Sequence, residues 1–146
     1  MSYKGDLLKG GIDQESGEIL GYKILPVSVI VNIGDDTASE ANLFVAPYAV
    51  QVTNIYYTPN VVGSHGSAVT ATVVKATAAV APVKTTTPMH AASAIDLKGT
   101  VHTVQTITLT STTADLKLVA GERIGYDTTG TTTAAEGTFT IIMKAI

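Results

Sequence analysis

Cysteine and tryptophan are absent from this chain of 146 residues, and only 14% of the residues are charged. Without cysteine there is no disulfide framework, and the chain is compatible with assembly in a reducing cytoplasm. The nine Lys and Arg residues are scattered along the sequence, and the net charge is −3. We therefore expect no nucleic-acid partner, because no basic stripe is available to neutralise phosphates.

Long apolar runs are missing as well. No segment approaches the roughly eighteen uninterrupted apolar residues of a transmembrane helix. The first twenty residues carry charges throughout, including Lys4, Asp6 and Lys9, and they contain no apolar core of a signal peptide. The sequence therefore predicts no membrane partner.

What the chain does contain is threonine, alanine and valine in abundance, with hydrophobic residues at 45% of the total. Threonine and valine are stiff at χ1 and pack well on a pleated surface, so they favour strands over helices. The length fits one domain that buries roughly 68–70% of the surface of its unfolded chain. Composition thus predicts a single all-β domain.

The alternation of apolar and polar residues divides the chain into an arm and a body. Residues 1–21 are polar, hold five glycines and keep no strand period, so we predict an extended N-terminal arm. Residues 22–146 contain seven or eight extended runs separated by turn residues, which is typical of a β-sandwich or jelly roll. The first run, residues 18–33, contains Pro26, which predicts an edge strand, a bulge or two shorter strands.

The last stretch, residues 116–146, is the most regular part of the body. It reads as two strands and a long loop that close the sandwich as a hairpin, with Phe139, Ile141 and Met143 on the buried face of the final strand. Residues 100–111 read as a further strand that carries a threonine ladder. Residues 48–58 also alternate, but neither of their faces is wholly apolar, so we expect part of this strand to face a partner subunit.

Two groups of residues have the chemistry of metal ligands. His65, His90 and His102 have suitable side chains, but nothing in their spacing requires a shared site. Asp35, Asp36 and Glu40 offer oxygen ligands for calcium, but the regular alternation of a calcium loop is missing and turn formation is the better interpretation. We expect no bound metal and no cofactor.

Catalytic patterns are missing too. The serines lie outside any nucleophile-elbow pattern, and the acidic residues cluster in the arm and turns, so we expect no enzyme activity. Tyrosines stack on sugar rings in some binding proteins, although core and interface filling is their commoner role. The six are Tyr3, Tyr22, Tyr48, Tyr56, Tyr57 and Tyr126.

Two stretches resemble a known family. The pattern L-x-L-x-x-G-E-R-I-G-Y over residues 116–126, and A-P-Y-A-V-Q-V-T-N-I-Y-Y-T-P over residues 46–59, are similar to runs in the head auxiliary (decoration or cement) proteins of tailed bacteriophages. The resemblance implies a jelly-roll-like β-sandwich on the outer surface of the capsid, made in the host cytoplasm and often trimeric. It implies that the major capsid protein and further copies of the chain are the partners, and that neighbouring capsid subunits are clamped together. It carries no catalytic motif.

The expected contacts follow from this resemblance and from composition. Capsid contacts are predicted in the arm, at Tyr3, Lys4, Leu7, Leu8 and Ile12. Subunit contacts are predicted in the half-polar strand and in the Ala/Pro/Thr-rich residues 78–94, at Tyr56, Tyr57, Val83, Met89 and His90. The alternative is a carbohydrate- or receptor-binding module of a phage tail or fibre, which would gather exposed aromatic residues at one end of the sandwich.

Overall fold

A computed structural model describes residues 23–33, 40–64, 66–83, 85–91, 94–131 and 135–146, with only the backbone described for 23–33. The regular structure of these residues is almost entirely β-strand, with one short 3₁₀ helix at Thr113–Leu116. The predicted all-β class is therefore confirmed. The strands are β1 (Lys23–Ile33), β2 (Glu40–Val45), β3 (Val50–Val61), β4 (Thr70–Ala76), β5 (Thr87–Pro88), β6 (Ile95–Asp96), β7 (Gln105–Ile107), β8 (Lys117–Leu118), β9 (Arg123–Thr129) and β10 (Ala135–Ala145).

The strands pair in two antiparallel sheets. Sheet I has the order β1-β10-β3, with β7 and β8 on the far edge of β3, and sheet II has the order β2-β9-β4, with β5 and β6 on the far edge of β4. Because β5 and β6 pair with successive parts of one strand, as do β7 and β8, each couple acts as a single interrupted strand. Counted this way, the first strand pairs with the last, the second with the last but one, and so on inward, which is the nested connectivity of a jelly roll.

This topology corrects the predicted closing hairpin. β8 pairs with β3 in sheet I, whereas β9 pairs with β2 and β4 in sheet II. The turn between β8 and β9 therefore carries the chain from one sheet to the other. Gly121 lies in this turn at φ +88, a conformation that glycine adopts without a Cβ clash.

Pro26 has the effect that its missing N–H predicts. β1 lies at the outer edge of sheet I among the described residues, and its register with β10 shifts between Ile24 and Val27. Two of the three expected outcomes, an edge position and a bulge, thus occur together.

A second bulge explains the mixed pattern of β3. Met143 pairs with Val52 but Ile142 pairs with Asn54, so Thr53 is the extra residue, and its hydroxyl donates to the Ile142 carbonyl at 3.2 Å. The bulge reverses the alternation, which turns Val50 and Val52 on one side of it, and Ile55 and Tyr57 on the other, toward the same buried face. The expectation that neither face is wholly apolar is therefore corrected, whereas contact between part of this strand and a partner subunit stays a prediction.

The two sheets pack on one apolar core. The predicted buried face of β10 is confirmed, since Phe139, Ile141 and Met143 are each at most 1% exposed. Phe139 contacts Tyr57 of its own sheet at a ring-centroid distance of 4.8 Å and stacks with Tyr126 of sheet II at 5.8 Å. These three rings therefore join the sheets across the middle of the sandwich.

Residues 100–111 do not form the predicted long strand. Only Gln105–Ile107 pairs with β3. His102 adopts φ 60 in a turn, and its backbone N–H donates to the Pro59 carbonyl at 2.8 Å. Beyond β7 the chain pairs with residues 89–91 instead. The chain passes from β6 of sheet II to β7 of sheet I, so the residues between these strands form a crossing rather than one long strand.

The Ala/Pro-rich residues 77–83 are held by their own subunit. The Arg123 guanidinium donates to the carbonyls of Thr77 at 3.0 Å and Val80 at 2.6 Å. Pro82 is buried against Gly125, where a Cβ would overlap the proline ring. Since Gly125 alternates with core-facing neighbours, Pro82 packs on the outer face of sheet II. Residues 77–81 remain exposed, so subunit contacts in this segment stay a prediction.

Candidate interaction surfaces

The strands run between two opposite ends of the sandwich, and one end is formed by residues 46–49 and 119–122. Hydrogen bonds of 2.8 Å run from the Ala46 amide to the Glu122 carbonyl and from the Gly121 amide to the Ala46 carbonyl. Ile146 joins them through its amide, which donates to the Ala49 carbonyl at 3.2 Å. We call this the lysine end, for the charges described below.

Exposed large apolar side chains gather at the two ends. The lysine end carries Val45, Tyr48, Val119 and Ile146, which are 45–61% exposed, and Val80 lies nearby on the segment bound by Arg123. The opposite end carries Val61, Val101 and Val104. These are all the exposed large hydrophobics among the residues whose side chains are described, so in that part of the chain the faces of the sheets carry none.

Charges divide along the same axis. Among the residues whose side chains the structure describes, the lysine end has four basic residues and two acidic ones, a net +2, and the opposite end, which we call the acidic end, has one basic residue and four acidic ones, a net −3. The residues of the lysine end are Lys75, Lys117, Arg123 and Lys144, with Asp115 and Glu122. Those of the acidic end are Glu40, Asp96, Asp127 and Glu136, with Lys98.

Two of these lysines lie in one row across sheet I. Lys144 is in register with Gln51, and Gln51 is in register with Lys117. Adjacent strands lie about 4.8 Å apart, so the two lysines repel each other across a single intervening strand. Glu136, on the same strand as Lys144, is about 27 Å away at roughly 3.4 Å per residue.

The motif of residues 116–126 builds the lysine end. Leu116 and Leu118 are core residues, and Gly121 makes the turn between the sheets. The Glu122 carboxylate accepts a hydrogen bond from the Val119 amide at 2.8 Å, and Arg123 holds residues 77–83. These five residues of the pattern therefore stabilise the fold of the subunit itself.

A groove of about 470 Å³ lies between β6 and β7, where the chain passes from one sheet to the other. The Gln105 amide nitrogen donates to the Asp96 carbonyl at 2.7 Å, and the Asp96 carboxylate accepts from the Lys98 amide at 2.9 Å. Among the described residues that line it, there is no aromatic side chain and no nucleophile with a neighbouring base. The lining residues are Ala91, Ala94, Ile95, Asp96, Gln105, Thr106, Ile107 and Thr108.

The candidate metal ligands are only partly described. His65, Asp35 and Asp36 lie outside the described residues. His90 is 6% exposed and its Nδ1 donates to the Ala91 carbonyl at 2.7 Å, whereas His102 is exposed in the turn beside Pro59. Within the described part of the chain, no three His, Cys, Asp or Glu residues are grouped so that they could hold a metal ion.

The predicted contact residues fall into three groups. The arm residues Tyr3, Lys4, Leu7, Leu8 and Ile12 lie outside the described residues. Tyr57 and Met89 are fully enclosed and His90 nearly so, which makes their side chains part of this subunit's interior. The subunit-interface prediction stays a prediction, and it now depends on the half-buried Tyr56 and Val83.

Tyr57 is expected to titrate later than an ordinary tyrosine. Burial, with smaller contributions from Asp96 and Tyr126, raises the pKa of Tyr57 from 10.0 to about 12, and its hydroxyl donates to the Leu97 carbonyl at 3.4 Å. Because the folded-state pKa is raised, the stabilisation is complete below pH 10 and is lost as the pH rises toward 12. Absorbance titration of tyrosinate should show a late step that Tyr57→Phe removes. If Tyr57→Phe instead removed a step near pH 10 and kept the late step, the assignment of the late step to Tyr57 would be contradicted.

Comparison with known proteins adds little. No family model and no curated protein matches the sequence. The chain is similar to a chain in a solved structure titled "Structure of infectious bursal disease virus Gx strain", with 14% identity over 90% of this chain and 35% of that one, at a TM-score of 0.32. The present chain thus spans about a third of the matched one, and a likeness at this level carries no argument about fold or function. Among the described residues, no helix is long and apolar enough to cross a membrane.

Proposed function

We propose that this chain is a structural virion protein without enzyme activity. It binds the outer surface of a tailed-bacteriophage capsid and stabilises the lattice of the major capsid protein, as a decoration or cement protein. The observation that carries the proposal is the placement of the exposed apolar residues, which lie at the two ends of a closed jelly roll and provide surfaces for protein contacts. The resemblance of residues 46–59 and 116–126 to head auxiliary proteins supports the same function.

Assembly as a homotrimer belongs to the same proposal. Tyr56, on the outer face of sheet I, and Val83, the last residue of the segment 77–83, are half-buried and keep some surface for subunit contacts. Arm contacts to the capsid, through Leu7, Leu8 and Ile12 among others, remain part of the proposal as well.

The alternative is a carbohydrate- or receptor-binding module of a phage tail or fibre, and the groove between β6 and β7 is the observation that favours it. Its lining offers hydroxyl and amide groups but no aromatic ring on which a sugar would stack. Of the four described tyrosines, Tyr57 and Tyr126 are buried, Tyr56 is half-buried and only Tyr48 is exposed. The described surface therefore favours the capsid function.

The proposal predicts where the protein is found in virions. Particles produced from the genome that encodes this chain are purified, and heads are separated from tails before quantitative mass spectrometry. We expect the chain in the head fraction, in a fixed ratio to the major capsid protein, on the outside and accessible to surface labelling. Recovery in the tail fraction would favour the receptor-binding alternative, and absence from both fractions would refute a virion function altogether.

A further inference from the structure

We propose that the lysine end is the surface by which the chain docks on its partner, and that the partner surface is a protein surface with an apolar centre and an acidic rim. The docking surface comprises Val45, Tyr48 and Val119 with Lys117 and Lys144. The identification of that partner as the capsid lattice rests on the proposed function. The chemistry of the docking surface is independent of it.

The apolar centre is preformed. Val45, Tyr48 and Val119 are 55%, 45% and 61% exposed, and the paired hydrogen bonds between Ala46 and residues 121–122 hold their loops together. A tyrosine on a fixed backbone offers contact area at a low cost in conformational entropy, and tyrosine is enriched among the residues that dominate binding energy. The two valines extend the apolar area around it.

The rim is cationic because three other charged side chains at this end, Lys75, Glu122 and Arg123, are already bonded to the backbone, whereas Lys117 and Lys144 are exposed. The Lys75 ammonium donates to the carbonyls of Ala114 at 3.0 Å and Lys117 at 3.2 Å. The Glu122 carboxylate and the Arg123 guanidinium also bond backbone groups of their own subunit. Lys117 and Lys144 are both exposed and lie in one row of sheet I with only Gln51 between them, so their like charges repel. Carboxylates of a partner would relieve this repulsion.

The apolar centre and the net charge of the chain indicate which class of macromolecule the partner belongs to. A phosphate backbone offers nothing on which Val45, Tyr48 and Val119 could pack. The acidic end and the net charge of −3 oppose association with a polyanion or an anionic membrane. A protein surface provides both apolar contacts and separated carboxylates, so it is the occupant to which the observations point.

The test uses the full-length chain and purified capsids that lack it. Two lysine-end variants are compared with the wild type, Lys117→Glu/Lys144→Glu and Tyr48→Ser/Val119→Ser. The matched control at the acidic end is Glu40→Lys/Val104→Ser, which alters similarly exposed residues. We expect each lysine-end variant to bind roughly tenfold or more weakly, with the control within about twofold and the wild-type affinity falling as salt rises. Thermal melting of the free variants confirms that they fold.

The outcomes separate this inference from the proposed function. Loss of binding in the acidic-end control, with the lysine-end variants unaffected, would overturn the docking surface but leave the capsid function in place. A wild-type chain that does not bind capsids would overturn the proposed function. Lysine-end variants that bind normally but no longer self-associate in sedimentation would show that the occupant is a second copy, and would also overturn the inference.

Discussion

Replacement of Phe139 by alanine is expected to lower the free energy of unfolding by about 3–5 kcal/mol, a large share of the 5–15 kcal/mol typical of a domain. Phe139 is completely buried, and its ring contacts Tyr57 of sheet I and Tyr126 of sheet II. Its neighbours are fixed in strands of both sheets, so they can relax only partly into the cavity that alanine would leave. The two sheets would lose their main aromatic contact.

Denaturant unfolding followed by circular dichroism measures this loss. The matched control is Phe44→Ala, because Phe44 is the only other phenylalanine and is merely half-buried against the core. We expect a clearly smaller effect there, and Phe139→Leu should recover much of the lost stability. An equal loss at both phenylalanines would contradict the central position of Phe139.

Local alternation was sufficient to predict the parts of the fold that depend on a single strand. The buried face of β10 follows from period two, since Phe139, Ile141 and Met143 recur at every second position and all face the core. The bulge and the edge position of β1 follow from Pro26 for a similar reason, because the missing amide acts locally.

Strand pairing was beyond the reach of such patterns. The bulge at Thr53 is defined by the slip between β3 and β10, which are far apart in sequence, and nothing in residues 48–58 themselves marks it. The turn at Gly121 looked like a hairpin because it is short and joins two extended runs. Only the nested sheet order shows that it joins different sheets.

The lysine end shows the same limit for function. In the sequence, the basic residues look scattered, and no window suggests a charged surface. The jelly-roll connectivity brings Lys117 and Lys144 to one row and Tyr48 and Val119 to adjoining loops. Predicting this surface requires the strand order, because the strand order places the β2–β3 and β8–β9 connections at the same end of the sandwich.

The second large effect is expected at Gly137 in β10. A Cβ at this position would overlap the ring and hydroxyl of Tyr57. Tyr57 cannot move aside, because it is fully buried, packs on Phe139 and bonds the Leu97 carbonyl. Gly137→Ala is therefore expected to cost about 1–3 kcal/mol through overpacking, and Gly137→Val more. A glycine inside a strand is a sequence signal of such a close approach.

A double-mutant cycle with Tyr57→Leu tests the cause of this cost. Leucine at 57 removes the ring atoms that the new Cβ would meet, so Gly137→Ala should cost less in that background, with a coupling of about 0.5–3 kcal/mol measured by denaturant unfolding. Gly66→Ala is the control, since a Cβ at Gly66 has nothing within 4 Å, and it should stay within about 0.5 kcal/mol of the wild type. Additive losses at 57 and 137 would show that backbone strain in β10, rather than contact with the tyrosine ring, makes glycine necessary there.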